Sequence, residues 1–183
     1  MKKAILLSSM LCIATISANA QTFRGLDKSP MDMAYYPDNF AHDRKDGEKA
    51  LIKVTYSRPA KNNRAVIGNL IPLGKVWRMG ADESAEIKFY QDGTFGGQKV
   101  KAGVYSLFAI AGETEWTIIL NKDVDFWGAY KYKEANDVLR VKVPAKKSDT
   151  AIENFSIQFA KEGNGGVMNL GWENTVVSVP VTF

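Results

Sequence analysis

The chain has 183 residues, with 24 lysines and arginines against 20 aspartates and glutamates, and it contains one histidine and one cysteine. So few nitrogen and sulfur ligands exclude the usual zinc clusters and iron–sulfur ligation, and we expect no metal and no cofactor. The basic residues are scattered instead of forming a stripe, which argues against nucleic acid as a partner.

The N-terminus has the layout of a secretory signal peptide. Two lysines precede an apolar stretch over residues 4–16, and the small-residue exit Ala18-Asn19-Ala20 follows. The stretch is shorter than the roughly 18 apolar residues that span a bilayer. We therefore predict cleavage after Ala20, and a mature chain beginning at Gln21 in the periplasm or outside the cell.

The mature chain predicted in this way has no cysteine. Cys12 lies inside the apolar stretch and follows Leu11, where a lipoprotein cleavage site needs a small residue, so we do not expect lipidation. Loss of two lysines with the leader leaves 22 basic and 20 acidic side chains. A hydrophobic core must hold such a chain, and its length of about 160 residues favours one domain.

Residues 21–48 are polar, and we interpret them as an N-terminal arm with one short strand near Met31, Met33 and Tyr35. From Ala50 the pattern changes to strict alternation, which begins a β-domain that we assign to residues 49–183.

Further strands are predicted where apolar residues alternate or run together. They lie at residues 87–90, 104–110, 116–120, 138–143, 155–159, 167–172 and 176–183. Residues 104–110 are apolar on both sides, which predicts a central strand covered on both faces, and Glu173-Asn174 is predicted as a hairpin turn. Eight or nine closely spaced strands with little helix predict an all-β, antiparallel β-sandwich or a jelly-roll-like barrel.

Common catalytic motifs are missing, and no catalytic residue can be assigned. There is no G-x-S-x-G or G-x-G-x-x-G motif, and residues 68–76 lack the spacing of a phosphate loop. His42 lies among aspartates in the arm, so a triad or a mononuclear metal site is one interpretation, but we favour a solvated loop histidine.

An acidic pair for glycoside cleavage needs a defined carboxyl separation of about 5 to 9.5 Å, which the sequence does not give. The acidic candidates for such a pair are Asp82, Glu83, Glu113, Glu115, Asp123 and Asp125.

Aromatic residues are a stronger signal of function than the histidine or the acidic residues. Trp77 and Trp127 lie in glycine-flanked turns, and Tyr130 follows closely. A ring held on a turn offers a flat face to a sugar or a peptide. In a second interpretation, the Trp77 side chain folds inward and fills the space beneath a long turn. Trp116 and Trp172 alternate with apolar neighbours, and we expect them in the core.

Two arginines also stand next to turns, where a planar fork meets a carboxylate bidentately. Arg58 and Arg78 either bind an anionic ligand or form internal ion pairs with Asp82 or Glu83. We favour internal pairing, with Arg78 bonded to Glu83 or Asp82. The candidates for ligand binding are thus Arg58, Trp77, Arg78, Glu83, Trp127 and Tyr130.

The chain resembles the domain of unknown function 2911 family of exported bacterial proteins, over about residues 52–181. The matching residues are Tyr56-Ser57-Arg58-Pro59, Gly68, Leu70, Pro72, Gly74, Val76-Trp77-Arg78, Gly80-Ala81, Glu83, Ala102-Gly103, Tyr105, Leu107-Phe108, Glu115-Trp116-Thr117, Asn121-Lys122 and Trp127-Gly128. Met79 replaces the usual Thr of the family and Asp82 the usual Asn. The resemblance implies a β-rich, exported protein and supplies no catalytic residue.

Three functions remain open from the sequence. The first is a non-catalytic binding module of the bacterial envelope for a small polar ligand or a glycan. A carboxylate-dependent hydrolase around Asp82 and Glu83 is the second, and a structural or assembly protein is the third. The sequence leaves the oligomeric state open.

Overall fold

The computed structural model describes residues 22–183, so the predicted signal peptide and Cys12 lie outside the described residues. The described part contains ten strands and two 3₁₀ turns, and no α-helix occurs in it. The strands are β1 (Met31–Tyr36), β2 (Ile52–Ser57), β3 (Val76–Trp77), β4 (Ala85–Phe89), β5 (Gly93–Phe95), β6 (Gln98–Val100), β7 (Gly103–Ile110), β8 (Glu115–Asn121), β9 (Asp137–Glu162) and β10 (Gly165–Thr182). The 3₁₀ turns are Asp38–Ala41 and Glu134–Asn136.

All neighbouring strands pair antiparallel, in the order β1-β2-β4-β7-β8-β9-β10-β5-β6, with β3 beside β7. The path ends at β1 and β6 and is not closed into a barrel. The all-β antiparallel prediction is therefore confirmed, and its sandwich alternative describes the fold better than its barrel alternative.

Two long strands fold the sheet over on itself. The first part of β9 pairs with β8, up to Pro144, and the second part pairs with β10. The prediction of separate strands at residues 138–143 and 155–159 was therefore wrong, because one continuous strand contains both runs.

The predicted hairpin at Glu173-Asn174 was also wrong. Glu173 has a φ of +54°, and the β9–β10 register shifts on either side of it. A single left-handed residue produces a bulge that bends a strand without reversing it, so β10 continues through this point. The chain reverses between β9 and β10, at Gly163 and Asn164.

The core lies between the two layers of the folded sheet. Trp77 from β3 packs on Phe155 of β9 at a centroid distance of 4.9 Å and on Trp172 of β10 at 5.9 Å. The Tyr56 hydroxyl of β2 accepts the N–H of Ile157 at 3.0 Å and donates to its carbonyl at 3.2 Å. Side chains of both layers thus form one contiguous core.

Strand β7 is central, as residues 104–110 predict. Its residues 106–109 are fully buried on both faces, whereas Val104 at its start is exposed. In the described part of the chain, no helix is long and apolar enough to cross a membrane.

Candidate functional site

The turn that carries Trp77 and Arg78 packs tightly on the sheet. Trp77 is buried, as the inward-folding interpretation predicted, and its indole N–H donates to the Gly80 carbonyl at 3.2 Å. The Ser57 hydroxyl donates to the Ala81 carbonyl at 2.7 Å and accepts the Ala81 N–H at 2.6 Å. These bonds fix the turn against the end of β2.

Backbone conformation explains two residue choices in this turn. Met79 and Asp82 have φ angles of +54° and +58°, in the left-handed region. Asn and Asp enter this region more easily than other residues with a side chain, so exchange of Asn for Asp at position 82 keeps the conformation. A β-branched Thr is less suited than Met to position 79.

Arg58 forms a structural tie between three strands. Its guanidinium donates to Asp32 of β1 at 2.9 Å, to the Ser156 hydroxyl of β9 at 2.9 Å and to the Phe155 carbonyl at 3.3 Å. Every nitrogen of this guanidinium therefore has a protein acceptor, so Arg58 holds β1 and β2 on β9.

The partner predicted for Arg58 was wrong, because Asp32 takes the place of Asp82 or Glu83. The pairing of β1 with β2 sets Asp32 opposite Tyr56, close to the end of β2. The polarity of the arm gave no sign of this register.

Arg78 forms no ion pair with Asp82 or Glu83 within residues 22–183, so that prediction was also wrong. Its Nε is buried and has no hydrogen-bond acceptor in the described part of the chain. Glu83 turns away because its backbone bridges to Trp127, and its side chain lines a different cleft.

The segment around Trp127 is held against the turn by a short antiparallel bridge. The Gly128 N–H donates to the Asp82 carbonyl at 2.7 Å, and the Ser84 N–H donates to the Phe126 carbonyl at 3.0 Å. Behind it, the Tyr132 hydroxyl donates to Asp137 at 2.7 Å. This loop therefore has fixed anchors on both sides.

Between the loop and the outer face of the sheet lies a cleft of about 400 Å³, which we call the Trp127 cleft. Strands β1, β2 and β4 form its floor, with side chains such as Met31, Thr55 and Glu86, and the loop forms its wall with Asp125 and Trp127. Glu83 also lines it. The Asp125 N–H donates to a Glu86 carboxylate oxygen at 3.0 Å, which fixes the loop to the floor.

Two aromatic rings stand exposed beside this cleft. Trp127 is 62% exposed and Tyr130 is 81% exposed, and their rings lie 5.9 Å apart at an interplanar angle of 14°. The Tyr130 ring covers Gly128 so closely that an added Cβ would lie 2.7 Å from it. The glycine therefore allows the parallel arrangement of the two rings.

The six candidate residues thus lie in three places. Glu83 and Trp127 line the Trp127 cleft, and Tyr130 stacks on Trp127 beside it. Trp77 and Arg78 line a smaller cavity, and Arg58 links β1 to β9. Two residues of the cleft, Thr55 and Glu86, were not among the candidates predicted from the sequence. Alternation in β2 and β4 was the available signal, since it places both residues on the outer face.

His42 ends the first 3₁₀ turn, where its backbone N–H donates to the Asn39 carbonyl at 3.1 Å. Residues 22–183 hold no group of three or more His, Cys, Asp or Glu side chains suited to a metal ion.

The fold and the cleft define an all-β, sandwich-like protein with an open groove lined by aromatic rings and carboxylates. The chain belongs to the family described as Protein of unknown function (DUF2911), whose model matches residues 38–181. The resemblance seen in the sequence is thereby confirmed. Comparisons with curated proteins and with solved structures gave no significant match.

Proposed function

We propose that this protein is an exported, non-catalytic binding module that binds a small polar ligand, foremost a glycan, at the Trp127 cleft. The observation that carries the proposal is the exposed parallel pair of Trp127 and Tyr130 at the edge of a carboxylate-lined groove. Export and the domain limits at residues 21–48 and 49–183 remain predictions within this proposal.

The chemistry of the groove suits a sugar. The C–H face of a pyranose packs on an aromatic ring, and its hydroxyls donate to carboxylate oxygens. Glu83, Glu86 and Asp125 supply such acceptors next to Trp127. A volume of about 400 Å³ lies within the usual range of small-molecule sites, about 300 to 1,000 Å³.

The first test uses the intrinsic fluorescence of tryptophan. Trp127 is exposed and the other three tryptophans are buried, so a change in emission on titration with soluble glycans reports mainly on Trp127. We expect Trp127→Ala to weaken binding at least about tenfold in calorimetry, a loss of about 1.4 kcal/mol, because the stacking face is removed.

Tyr90→Ala is the matched control, since Tyr90 is an exposed aromatic residue that does not line the Trp127 cleft. Equal affinity of wild type and Trp127→Ala for every glycan bound would contradict the proposed site. Absence of binding by the wild type would leave the structural or assembly function as the better proposal.

A carboxylate-dependent hydrolase is the second candidate, because three acidic residues line the same cleft. Glu83→Gln separates the two functions, since it removes an ionised carboxylate with little change in shape. If the protein is an enzyme, this variant should lose turnover of a chromogenic glycoside while still binding it. In a binding module, only the affinity changes.

A further inference from the structure

Beneath the Trp77 turn lies a second, smaller cavity of about 200 Å³, which we call the Arg78 cavity. We propose that it is a binding site for the carboxylate of a small organic acid with an apolar or aromatic body. This inference goes beyond the glycan proposal, and the two sites share no lining residue.

Arg78 supplies the positive charge. Arg78 as a whole is half-buried, but its Nε is buried, and no acceptor lies within hydrogen-bond distance of that atom in residues 22–183. A guanidinium keeps its proton at any physiological pH, so the group cannot relieve the burial by becoming neutral. A buried N–H donor without an acceptor is costly, and a carboxylate that accepts from Nε and a second guanidinium nitrogen removes that cost.

Arg64 supplies a second guanidinium to the same cavity. Its Nε donates to the Lys61 carbonyl at 2.8 Å and its Nη2 donates to the Ala60 carbonyl at 2.6 Å. These neutral acceptors hold the exposed side chain in place, and no ion pair engages it in the described part of the chain. The cavity is therefore lined by two positive charges.

Acidic residues on neighbouring segments are engaged elsewhere. A Glu153 carboxylate oxygen accepts the Asn62 N–H at 2.8 Å, and a Glu173 carboxylate oxygen accepts the Val66 N–H at 3.2 Å. No Asp or Glu lines the Arg78 cavity in the described part of the chain. The two arginines of the lining therefore have no acidic partner within the cavity itself.

The rest of the lining favours an apolar body on that anion. Trp77 and Trp172 are buried and already donate their indole N–H groups to backbone carbonyls, so the small ring surface that they expose to the cavity is apolar. Pro59 and Leu70 add aliphatic surface. The volume of about 200 Å³ is below the usual range of small-molecule sites, about 300 to 1,000 Å³, which restricts the ligand to a small acid.

Benzoate is the probe, and benzamide is its neutral counterpart of the same shape. In ¹H–¹⁵N spectra of the wild-type protein, we expect saturable shifts of the Arg78 Nε–H signal and of the Trp77 and Trp172 indole N–H signals on titration with benzoate. Benzamide should cause no saturable shift, because it cannot neutralise the guanidinium. Sulfate should bind more weakly than benzoate, because it lacks the apolar body.

Arg78→Met should raise the Kd for benzoate by about ten- to a hundredfold, the effect of losing charge-assisted hydrogen bonds. Arg78→Lys should give a smaller rise, because it keeps the charge and loses the fork. Lys75→Met is the matched control: it removes one positive charge from an exposed position just before β3, outside the cavity lining, and should leave the Kd unchanged.

Three results would overturn the proposal. They are absence of saturable benzoate shifts in the wild type, equal shifts with benzamide, and an unchanged Kd in Arg78→Met. Tighter binding of sulfate than of benzoate would overturn the organic-acid class. If Arg78→Met does not fold, the comparison of benzoate with benzamide in the wild type and the Arg78→Lys variant still decide the matter.

Discussion

At the scale of single residues, two buried N–H groups without a protein acceptor have different meanings. Trp116 Nε1 and Arg78 Nε are both of this kind within residues 22–183. Trp116 lies in the middle of the core, edge-on to Trp77 at 6.2 Å, and its apolar area outweighs one unmade hydrogen bond. Arg78 lines a cavity and carries a full charge, so packing does not compensate it.

We expect Trp116→Ala to lower the free energy of unfolding by about 3 to 5 kcal/mol, because it opens a large cavity in the core. Trp116→Phe should cost much less, since it keeps an aromatic ring and removes the unpaired N–H. Denaturant unfolding followed by circular dichroism measures both values. Trp127→Ala, at an exposed position, should stay within about 0.5 kcal/mol of the wild type. A loss below about 1 kcal/mol for Trp116→Ala would contradict its place in the core.

At the scale of elements, the turn between β3 and β4 works as one rigid unit because Ser57 holds it. A Cβ at Gly80, whose φ is +156°, would lie 2.6 Å from the Ser57 hydroxyl oxygen and 3.2 Å from the Ser57 carbonyl. The same hydroxyl makes both bonds to Ala81. The Ser57 hydroxyl can therefore bind Ala81 in this position only because Gly80 has no side chain.

We expect Ser57→Ala to cost about 1 to 3 kcal/mol, because it leaves the Ala81 N–H and carbonyl without their partner. Gly80→Ala should also destabilise the protein, through the contact with Ser57. In the Ser57→Ala background the added Cβ no longer meets the hydroxyl. The double variant should therefore lose less free energy of unfolding than the sum of the losses of the two single variants. A double-mutant cycle by denaturant unfolding measures this coupling. Strictly additive costs would show that the two positions act independently.

Strands were predictable from the sequence where apolar and polar residues alternate within a short run. The runs at 87–90 and 116–120 match β4 and β8, because burial alternates along β4 and along the first half of β8. The length of β9 was not predictable, since its middle, residues 144–154, is mostly exposed and carries no apolar alternation. Pairing with β10 keeps that stretch extended, and this depends on residues distant in the chain.

Single residues of the candidate site were predictable from the sequence, but which of them lie close together in the fold was not. Residue type and turn position were enough to single out Glu83 and Trp127. Their meeting depends on a bridge between segments about 40 residues apart, which no local pattern encodes. For Arg58, the fork geometry correctly predicted an acidic partner, but the choice of Asp32 depends on the β1–β2 register.

At the scale of the whole molecule, polar bonds from aromatic hydroxyls link the two layers of the sheet. The Tyr36 hydroxyl of β1 donates to the Gly165 carbonyl of β10 at 2.7 Å, and the Tyr56 hydroxyl makes both bonds to Ile157. The Tyr56 bonds are buried and the Tyr36 bond is part-buried, and together they stabilise one relative placement of the layers. Because the bond from the Tyr56 hydroxyl to the Ile157 carbonyl needs a protonated hydroxyl, we expect the fold to be sensitive to alkaline pH.

Burial raises the pKa of Tyr56 above its ordinary value of 10.0, and this effect exceeds the lowering by the hydrogen bond with Ile157. Burial and the hydrogen bond to Asp137 also raise the pKa of Tyr132. A raised pKa in the folded state means that the unfolded chain loses its proton first. The stability from each group is therefore complete below about pH 10 and is lost as the pH rises through the folded-state pKa.

We expect the free energy of unfolding to fall steeply above about pH 10, by up to about 1.4 kcal/mol per pH unit for each such tyrosine. Tyr56→Phe should be less stable than the wild type at pH 7, by about 1 to 3 kcal/mol, because it leaves the Ile157 N–H unpaired in the core. Above pH 10 its stability should fall less steeply, since the titrating group is gone. Tyr132→Phe should also flatten the dependence, and the double variant should flatten it further. Denaturant unfolding between pH 8 and 11 measures these slopes. A Tyr56→Phe slope equal to that of the wild type would show that the alkaline loss arises at other groups.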